Sequence, residues 1–559
     1  MEKDKKVALR LNTMAIILIV IFSVAVSPVT LQNDTFYTIK IGEYIVQNGI
    51  TMQEPFAWHE NLEYTFPHWA YDVLIYSIYN IGGMTGIYIS TIVFAAILGI
   101  SMYFISVKLT KNRIISMLLT LVTMYLLSPY ICARAQLLTF ILFIFTIYFI
   151  EKFLETGKLR YAIGLIIIPI LIANLHVATF YFYFILYLPY IAEYMMYVLS
   201  YSNTIISASV VDSIKRKIKK QGETEELLEK LKKAEEKHKK LEAKEDERIQ
   251  NPYKIKINYS KNIKYLMVIC IIALFTGFLT PLGATPYTYL IKTMQGISTK
   301  NISEHLPIVL ANNTSVLIVL TVYLGILIIT KVKIRISDAF MLLGLTLLTI
   351  FSRRQASMFF LIGVIILNRL ISELMINYNK DTIKRLEEVM SKIVSIAIIS
   401  TIVIVISVFQ YKPKADDKYI DENVYPVQAA NWIKENLDVE NIKLYNEYNF
   451  GSYLIYQNIP VFVDSRCDLY MPEFNENTYV FKDFLNLSGA NLDYNQMKEK
   501  IEGYGFTHFI VSKGRKLGMY LDFNEDKYKV IYPTEDIEDK NFRIYEKINN
   551  EERIWKIKE

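Results

Sequence analysis

The feature that most constrains this chain is a series of apolar runs separated by short polar or basic segments. The hydrocarbon core of a bilayer is about 30 Å thick, so a helix that crosses it needs about 20 apolar residues. By that test the sequence predicts eleven transmembrane helices, of which the shortest need a thin bilayer or shielding neighbours. The predicted spans are 14–31, 86–107, 114–129, 136–150, 161–175, 177–199, 263–280, 314–330, 338–351, 355–370 and 392–410.

The composition agrees with membrane helices joined to a soluble part. The chain has 559 residues and is 53% hydrophobic, yet 21% of its residues are charged. The net charge of +6 does not imply a nucleic-acid partner. The three cysteines, Cys132, Cys270 and Cys467, lie far apart in the sequence, and their spacing fits neither a disulfide framework nor a zinc site.

The distribution of basic residues predicts how the chain crosses the membrane. With the N-terminus cytoplasmic, the predicted inside segments hold 35 Lys and Arg and the outside loops hold 6. Cytoplasmic loops carry such an excess, so we expect a multi-pass protein of the cell membrane whose C-terminal segment lies outside. The first apolar run could instead be a cleaved signal peptide, but it is longer than a usual signal core, which favours an anchor.

Two domains are predicted, a transmembrane domain over residues 1–410 and an extracytoplasmic α/β domain over residues 411–559. The first outer loop spans residues 32–85, and its helical spacing predicts helices parallel to the membrane. The second of these helices is expected to end at Gly82-Gly83. The fold class is therefore a mainly α polytopic membrane protein with a C-terminal α/β domain.

A charged cytoplasmic loop is predicted at residues 200–262. Apolar residues and one histidine recur in it at alternating spacings of four and three residues, which predicts a helix or a coiled-coil hairpin. A solvated helical insertion is the simpler interpretation, and a partner-docking site is the alternative. The residues with this spacing are Leu227, Leu231, Ala234, His238 and Leu241.

The C-terminal segment alternates helix-like and strand-like stretches, as an α/β domain does. "VQAANWIKENL" and "NQMKEKIEGYG" read as helices, whereas "IKLYNEY", "PVFVDS", "THFIVS", "YKVIYP" and "FRIYEKI" read as strands. Ligands bind at strand ends in such sheets, although a structural role for the polar residues there is equally consistent with the sequence. The residues concerned are Gly451, Asp464, Arg466 and Asp468.

The first outer loop carries the candidates for acid–base chemistry. It holds six carboxylates and two histidines but only one Lys. Asp34 lies at the predicted membrane boundary, where an ionised carboxylate is costly unless a cation or a donor offsets its desolvation. Such a group can accept a proton from an attacking hydroxyl or bind a divalent metal. We therefore predict Asp34 as a catalytic carboxylate, with Glu54 and His68 as further candidates and solubilising charge as the alternative.

Basic residues are scarce in the predicted outer loops, so those present need an explanation. Arg134 lies between the third and fourth spans, and Arg353 and Arg354 lie between the ninth and tenth. The forked guanidinium suits a phosphate, whereas an arginine that reaches lipid headgroups is the alternative. His176 lies at an outer turn on the same side. These four residues are predicted to bind the phosphate of a lipid-linked donor.

A carboxylate beside phosphate-binding cations at a lipid–water boundary suits transfer of a sugar from a lipid phosphate. The carboxylate would activate the acceptor hydroxyl, and the cations would stabilise the lipid-phosphate leaving group. The sequence contains no glycine-rich dinucleotide motif, P-loop or Ser-His-Asp pattern that points elsewhere.

The chain resembles the GT-C superfamily of integral membrane glycosyltransferases, which includes protein O-mannosyltransferases and aminoarabinose-lipid A transferases. "NDTFYTIKIGEYIVQNGITMQEP" resembles the superfamily's Asp-aromatic segment after the first span, which places Asp34 in the catalytic position. Pro67-His68-Trp69 stands where the superfamily usually has Pro-Pro-Leu before Trp, and Asn33 and Thr35 stand where O-mannosyltransferases often have a second carboxylate. "ANLH", "TPLG" and "PVFVDSRCDLY" resemble segments of a poorly characterised bacterial branch.

This resemblance implies a membrane glycosyltransferase with a polyprenyl-phosphate sugar as donor and an extracytoplasmic glycan, lipid or protein as acceptor. Membrane lipids are further expected partners, and a divalent metal (Mg²⁺ or Mn²⁺) at Asp34 is left open. Two alternatives belong to other classes: a transporter or flippase of lipid-linked glycans, and a non-catalytic scaffold that presents the outer domain. A transporter predicts charges buried in mid-span, and the predicted spans are nearly free of them.

Overall fold

A computed structural model describes residues 2–250, 254–309 and 313–548, apart from the side chains of residues 248–250. Three parts of the predicted segments lie outside the described residues, namely 251–253 of the charged loop, 310–312 of an outer loop and 549–559 at the C-terminal end. The described chain is mainly helical and carries one small sheet near its C-terminal end.

The part of the chain before residue 412 contains eighteen α-helices among its described residues. They are α1 (Glu2–Val26), α2 (Asn33–Asn48), α3 (Trp69–Thr110), α4 (Arg113–Leu126), α5 (Ala135–Thr156), α6 (Leu159–Leu175), α7 (Phe180–Ile185), α8 (Leu188–Ser200), α9 (Ser202–Gln221), α10 (Glu225–Gln250), α11 (Ile263–Leu274), α12 (Thr285–Gln295), α13 (Ser298–Asn301), α14 (Thr314–Ile329), α15 (Ile336–Phe351), α16 (Ala356–Tyr378), α17 (Thr382–Met390) and α18 (Ile393–Tyr411). Two short strands, β1 (Ile255–Lys256) and β2 (Ile334–Arg335), pair in parallel.

Six helical stretches are long and apolar enough to cross a membrane, and five apolar helices are shorter. Each of the eleven predicted runs overlaps one of these helices. The long stretches are Glu2–Val26, Trp69–Thr110, Ala135–Thr156, Val177–Ser200, Arg353–Tyr378 and Ile393–Lys414. The shorter ones are Arg113–Leu126, Leu159–Leu175, Ile263–Phe278, Thr314–Ile329 and Ile336–Phe351. Helical membrane segments are thus supported, whereas the count of eleven spans stays a prediction because length alone does not place the short helices across a bilayer.

The first outer loop folds into α2 and the start of α3, which pack closely on each other. The close packing depends on Gly42, because a Cβ at this position would lie 2.1 Å from the backbone oxygen of Asp72. Gly83 has a φ of 57° and interrupts the helical geometry of α3. The helix therefore changes direction where the sequence predicts a stop, although hydrogen bonding continues on both sides.

The charged loop forms an antiparallel hairpin of α9 and α10. The five residues with alternating spacing are partly buried in the hairpin. Further contacts join the helices, since His238 Nδ1 lies 2.9 Å from Ser207 Oγ and Glu245 accepts a hydrogen bond of 2.7 Å from the Thr204 hydroxyl. The heptad-like pattern thus marks the face where the two helices meet.

The C-terminal segment contains five α-helices and a four-stranded sheet among its described residues. They are α19 (Val427–Asn436), β3 (Leu444–Tyr445), α20 (Tyr448–Tyr456), α21 (Val480–Gly489), α22 (Tyr494–Tyr504), β4 (His508–Ser512), α23 (Lys516–Phe523), β5 (Tyr528–Tyr532) and β6 (Phe542–Lys547). The strand order is β3-β4-β6-β5, with the first pair parallel and the other two antiparallel. Helix α22 starts at a capping box of Asp493 and Gln496.

One predicted strand is wrong: the segment "PVFVDS" does not join this sheet. Its Val461 forms an isolated parallel bridge with Ala57 of the first outer loop. The amide of Trp58 donates to the Val461 carbonyl at 3.2 Å, and the amide of Val461 donates to the Phe56 carbonyl at 3.3 Å. The extended backbone that the apolar pattern predicts is present, but its hydrogen bonds go to the outer loop and not to the sheet.

The C-terminal segment and the first outer loop share two apolar cores. In one, Phe36 and Tyr71 pack with Tyr425 and Tyr453, and the rings of Phe36 and Tyr425 lie 4.9 Å apart. In the other, Tyr37 and Phe66 of the loop pack with residues of the sheet and its helices. The helices before residue 412 have a separate, larger core. The first outer loop therefore packs against the C-terminal segment. The two predicted domains share apolar cores and are not separated at residue 410.

We predict that Gly42→Ala lowers thermal stability, because an added methyl group must push α2 away from α3. A Cβ at Gly325 of α14 meets no atom within 4 Å, so Gly325→Ala is the matched control. The melting temperature of each purified variant in the same detergent provides the measurement. A drop of several degrees is expected for Gly42→Ala only, and equal melting temperatures would contradict the packing argument.

We also predict opposite sides of the membrane for the hairpin and the C-terminal segment. Exposed lysines on each, Lys237 and Lys540, are replaced singly by cysteine in a background in which the half-buried Cys270 is replaced by alanine. That background serves as the blank, because its remaining cysteines, Cys132 and Cys467, are buried. A membrane-impermeant thiol reagent added to intact cells should label Lys540→Cys and should label Lys237→Cys only after lysis. The reverse pattern would overturn the orientation inferred from the basic residues.

Candidate functional site

Asp34 and Arg134 form an ion pair on the side of the helices that faces the C-terminal segment. Asp34 lies in the first turn of α2, and Arg134 immediately precedes α5. Arg134 Nη2 lies 2.9 Å from Asp34 Oδ2, and each side chain is 23% exposed. The Thr35 hydroxyl donates to the Ala133 carbonyl at 3.5 Å, so the backbones of the two segments are also in contact. Two residues 100 positions apart in the sequence thus meet directly.

Glu304 is a second carboxylate on Arg134, and the sequence prediction missed it. Arg134 Nη1 donates to Glu304 Oε1 at 3.2 Å. Burial acts to raise the pKa of Glu304, but Arg134 and Arg354 outweigh it and lower the pKa. Burial likewise acts to lower the pKa of Arg134, and the carboxylates, led by Asp34, reverse this and raise it. Glu304 is the sole carboxylate of the predicted outer loop 281–313, and that is the signal that could have found it.

The adjacent arginines Arg353 and Arg354 have different surroundings. Arg353 Nε donates to the Pro307 carbonyl at 3.3 Å, and its own carbonyl accepts from the Tyr130 hydroxyl at 3.0 Å. The Arg354 amide donates to the Glu304 carbonyl at 3.0 Å. Among the two, Arg354 is the one whose charge lowers the pKa of His68, His176 and Glu304. Arg353 therefore bonds to the loop that contains Pro307. Arg354 belongs to the group of charged residues and histidines around Asp34 and Arg134, called the Asp34 cluster below.

The two predicted histidines lie side by side, with ring centroids 5.0 Å apart. His176 Nδ1 lies 3.0 Å from the Thr139 hydroxyl. Burial, followed by the charges of Arg354 and Arg134, lowers the pKa of His68 to about 3. Burial, His68 and the same arginines hold the pKa of His176 well below its ordinary value. Both imidazoles are therefore neutral near pH 7, where they can form hydrogen bonds but are poor bases.

Glu54, predicted as a further catalytic candidate, is fully buried in a different ion-pair network. Its Oε2 lies 2.5 Å from Arg466 Nη1, and its Oε1 accepts from the amides of Phe56 and Ala57 at 2.7 and 2.9 Å. Arg466 also binds Asp464, with Nη2 and Oδ2 2.7 Å apart. The Arg466 and Glu54 side chains are 3% and 0% exposed. This geometry suits joining the loop to the C-terminal segment more than it suits proton transfer to a substrate.

The C-terminal segment also reaches the Asp34 cluster. Asn33 Nδ2 donates to the Tyr448 carbonyl at 3.1 Å. Asp468 accepts from the hydroxyls of Tyr289 and Thr293 at 2.7 and 3.2 Å. Burial raises the pKa of Asp468, and among the weaker opposing effects is the charge of Arg354. The polar residues near "VFVDSRCDLY" thus divide between the Arg466 network and the edge of the Asp34 cluster.

The structure therefore brings together five of the seven predicted site residues. Asp34, Arg134, Arg354, His68 and His176 lie in one cluster by direct contact or mutual electrostatic influence. Glu54 and Arg353 have other partners. Among the described residues, no group of three or more His, Cys, Asp or Glu is placed to hold a metal ion. Asp34 instead has Arg134 as its observed partner.

Comparison with known proteins supports the fold alone. No family model matches the chain, and no curated protein matches its sequence. Among solved structures, the apo form of the oligosaccharyltransferase of Archaeoglobus fulgidus is similar, with a TM-score of 0.53 at 10% sequence identity. The match covers 90% of this chain and 69% of that one. The fold of this chain is thus similar to that of a solved oligosaccharyltransferase, and membership of the superfamily, of a subfamily and of the bacterial branch stays a prediction.

The buried histidines predict a loss of stability as the pH falls. His68 has an ordinary pKa of 6.5 and a pKa of about 3 in the fold, so below pH 6.5 the unfolded chain binds a proton that the folded chain does not. Stability should therefore decrease between about pH 6.5 and pH 3, and the loss from His68 should be about 2 kcal/mol by pH 5. We expect His68→Gln to show a smaller drop in melting temperature between pH 7 and pH 5 than the parent. Glu60→Gln, which changes an exposed carboxylate of the same outer loop, provides the control. A parallel pH dependence in the parent and in His68→Gln would contradict the assignment.

Proposed function

We propose that the protein transfers a sugar from a polyprenyl-phosphate donor to an extracytoplasmic acceptor. The observation that carries the proposal is the contact between Asp34 and Arg134, because it places the predicted base beside a predicted phosphate ligand. A fold shared with a solved oligosaccharyltransferase supports the reaction class. Donor, acceptor and the role of each residue are parts of the proposal.

In the proposed reaction the Asp34 carboxylate accepts the proton of the acceptor hydroxyl. The acceptor oxygen then forms a bond to the anomeric carbon of the sugar, while the bond from that carbon to the phosphate oxygen breaks. The electron pair of the broken bond leaves with the polyprenyl phosphate, whose charge increases. Attack from the face opposite the leaving group inverts the anomeric configuration.

Arg134 would serve as the link between donor binding and catalysis. In the structure one oxygen of Asp34 is bound to Arg134, and Arg134 also binds Glu304. A donor phosphate would compete with both carboxylates for this guanidinium, since charge-assisted bonds to phosphate suit its forked geometry. Donor binding would then free Asp34 to accept a proton, so the base becomes available only when a sugar is present.

His68 and His176 would complete the phosphate site as neutral hydrogen-bonding groups. With a pKa of about 3, His68 is neutral near pH 7, so its ring can donate or accept a hydrogen bond to the donor phosphate or the sugar. The role of general base is assigned to Asp34 because of its contact with Arg134. Arg354 would supply the second positive charge for the leaving phosphate.

The direct test measures sugar transfer by the purified protein from candidate polyprenyl-phosphate sugars. Asp34→Asn keeps the side-chain shape and removes the proton acceptor, so transfer should fall by about 10²-fold or more. Glu60→Gln is the matched control, because it changes an exposed carboxylate of the same outer loop. Melting temperatures of all variants show that the fold is retained.

Two results would contradict the proposal. Transfer by Asp34→Asn at the parent rate would remove Asp34 from the mechanism. If Arg134→Gln and Arg354→Gln bind the donor as tightly as the parent does, the two arginines do not form the phosphate site.

A further inference from the structure

A cavity lies at the end of the helices opposite the Asp34 cluster. It has a volume of 450 Å³ and is formed by the ends of α3, α5, α8 and α16, with the start of α11 and strand β2. These chain positions belong to the segments that the distribution of basic residues predicts to be cytoplasmic. The cavity therefore lies at the predicted inner face, remote from the chemistry proposed above.

Two arginines on the wall of this cavity are held by carboxylates. Arg335 Nη2 lies 2.6 Å from Glu151 Oε1, and Arg369 Nη1 lies 2.6 Å from Asp338 Oδ1. Tyr190 donates a further hydrogen bond to Glu151 at 2.8 Å. Each guanidinium contacts both carboxylates, which balances two positive with two negative charges. This network fixes the helix ends around the cavity and needs no ligand for its charge balance.

The rim of the cavity, by contrast, carries an excess of positive charge. Lys108 and Lys111 line it from the end of α3, and both are exposed. In the described part of the chain, no carboxylate lies within ion-pair distance of either lysine, whereas the third rim lysine, Lys152, pairs with Glu155 at 2.5 Å. Lys108 Nζ lies 5.2 Å from the ring centroid of Tyr148. The two lysines are thus positioned beside a cavity and can accept an anionic ligand.

Apolar and aromatic side chains form much of the remaining wall, beside the polar residues Glu193, Asn258 and Ser260. Leu109, Leu154 and Ile263 line the cavity beside Tyr194 and Tyr259. The two tyrosine rings are stacked with centroids 6.4 Å apart, and 51% of Tyr259 is exposed. A basic rim next to apolar walls and exposed tyrosines is the combination expected where a lipid headgroup meets its acyl chains.

We propose that this cavity binds the phosphate headgroup of an anionic phospholipid from the inner leaflet, with Lys108 and Lys111 as its charged contacts. The phosphate would lie on the basic rim, and the acyl chains would follow the apolar wall into the bilayer. A site for a cytoplasmic soluble anion would need neither the leucine wall nor a position at the helix ends. The inference is independent of the proposed transferase activity, because it concerns the opposite face.

The test uses the full chain in detergent and measures bound lipid by native mass spectrometry. Four probes are titrated separately: phosphatidylglycerol, phosphatidylcholine, undecaprenyl phosphate and inorganic phosphate. The site variant is Lys108→Gln/Lys111→Gln. The charge-matched control is Lys380→Gln/Lys392→Gln, which removes two exposed lysines from another segment of the predicted inner side.

Phosphatidylglycerol should bind the parent more tightly than phosphatidylcholine does. Its apparent Kd should rise tenfold or more in the site variant and stay unchanged in the control, since each lysine near a lipid surface contributes substantially to binding anionic lipid. If the double variant does not fold, each single substitution is expected to weaken binding severalfold.

Three outcomes would overturn the proposal. Equal weakening in the site and control variants would show unspecific attraction to charge. Binding of undecaprenyl phosphate but not of phosphatidylglycerol would assign the cavity to a different lipid. Displacement by inorganic phosphate at the concentration of the lipid would show a site for the free anion.

Discussion

The placement of the candidate site depends on the buried guanidinium of Arg466. This residue lies in the C-terminal segment but binds Glu54 of the first outer loop, 412 positions earlier, as well as its neighbour Asp464. Its charge is almost entirely removed from water, which is tolerated only because carboxylates and the ring of Tyr64 surround it. Loss of one partner of such a buried pair typically costs about 3–5 kcal/mol. The loop that carries Asp34 is therefore fixed by a residue with no part in the proposed chemistry.

The molecule contains two ion-pair networks that differ in their exposure to solvent. The Glu54–Arg466 network is closed to solvent and is saturated by protein groups, as the amides of Phe56 and Ala57 show. The Asp34–Arg134 pair is less buried, and under the proposed function Arg134 would exchange its carboxylate partner for the donor phosphate. A fully buried pair favours structure because opening it exposes an uncompensated charge. In the proposed reaction, the incoming phosphate would replace the carboxylate at the partly exposed pair.

At the predicted inner end of the helices, some charges of the described residues are likewise paired within the protein and others are unpaired at the surface. Arg335 and Arg369 are balanced by Glu151 and Asp338, which orders the helix termini. Lys108 and Lys111 lie on the rim of the neighbouring cavity and face solvent. Such a lysine has a long flexible side chain and a strongly hydrated charge, so it can contact a mobile headgroup without a fixed geometry. The outer and inner sites would thus both recognise phosphate, by arginines in one case and by lysines in the other.

The sequence by itself determined the features that follow from local pattern. Apolar run length located the eleven apolar helices of the described residues, and the spacing from Leu227 to Leu241 located the face of the hairpin. The scarcity of cations in the predicted outer loops pointed to Arg134 and Arg354. The tertiary structure decided what depends on long-range pairing. It assigned "PVFVDS" to Ala57 and not to the sheet, enclosed Glu54 with Arg466, and added Glu304 to the Asp34 cluster. The physical reason is that periodicity reports which face of a segment is apolar, whereas the partner of a charge or an extended strand is set by segments hundreds of residues away.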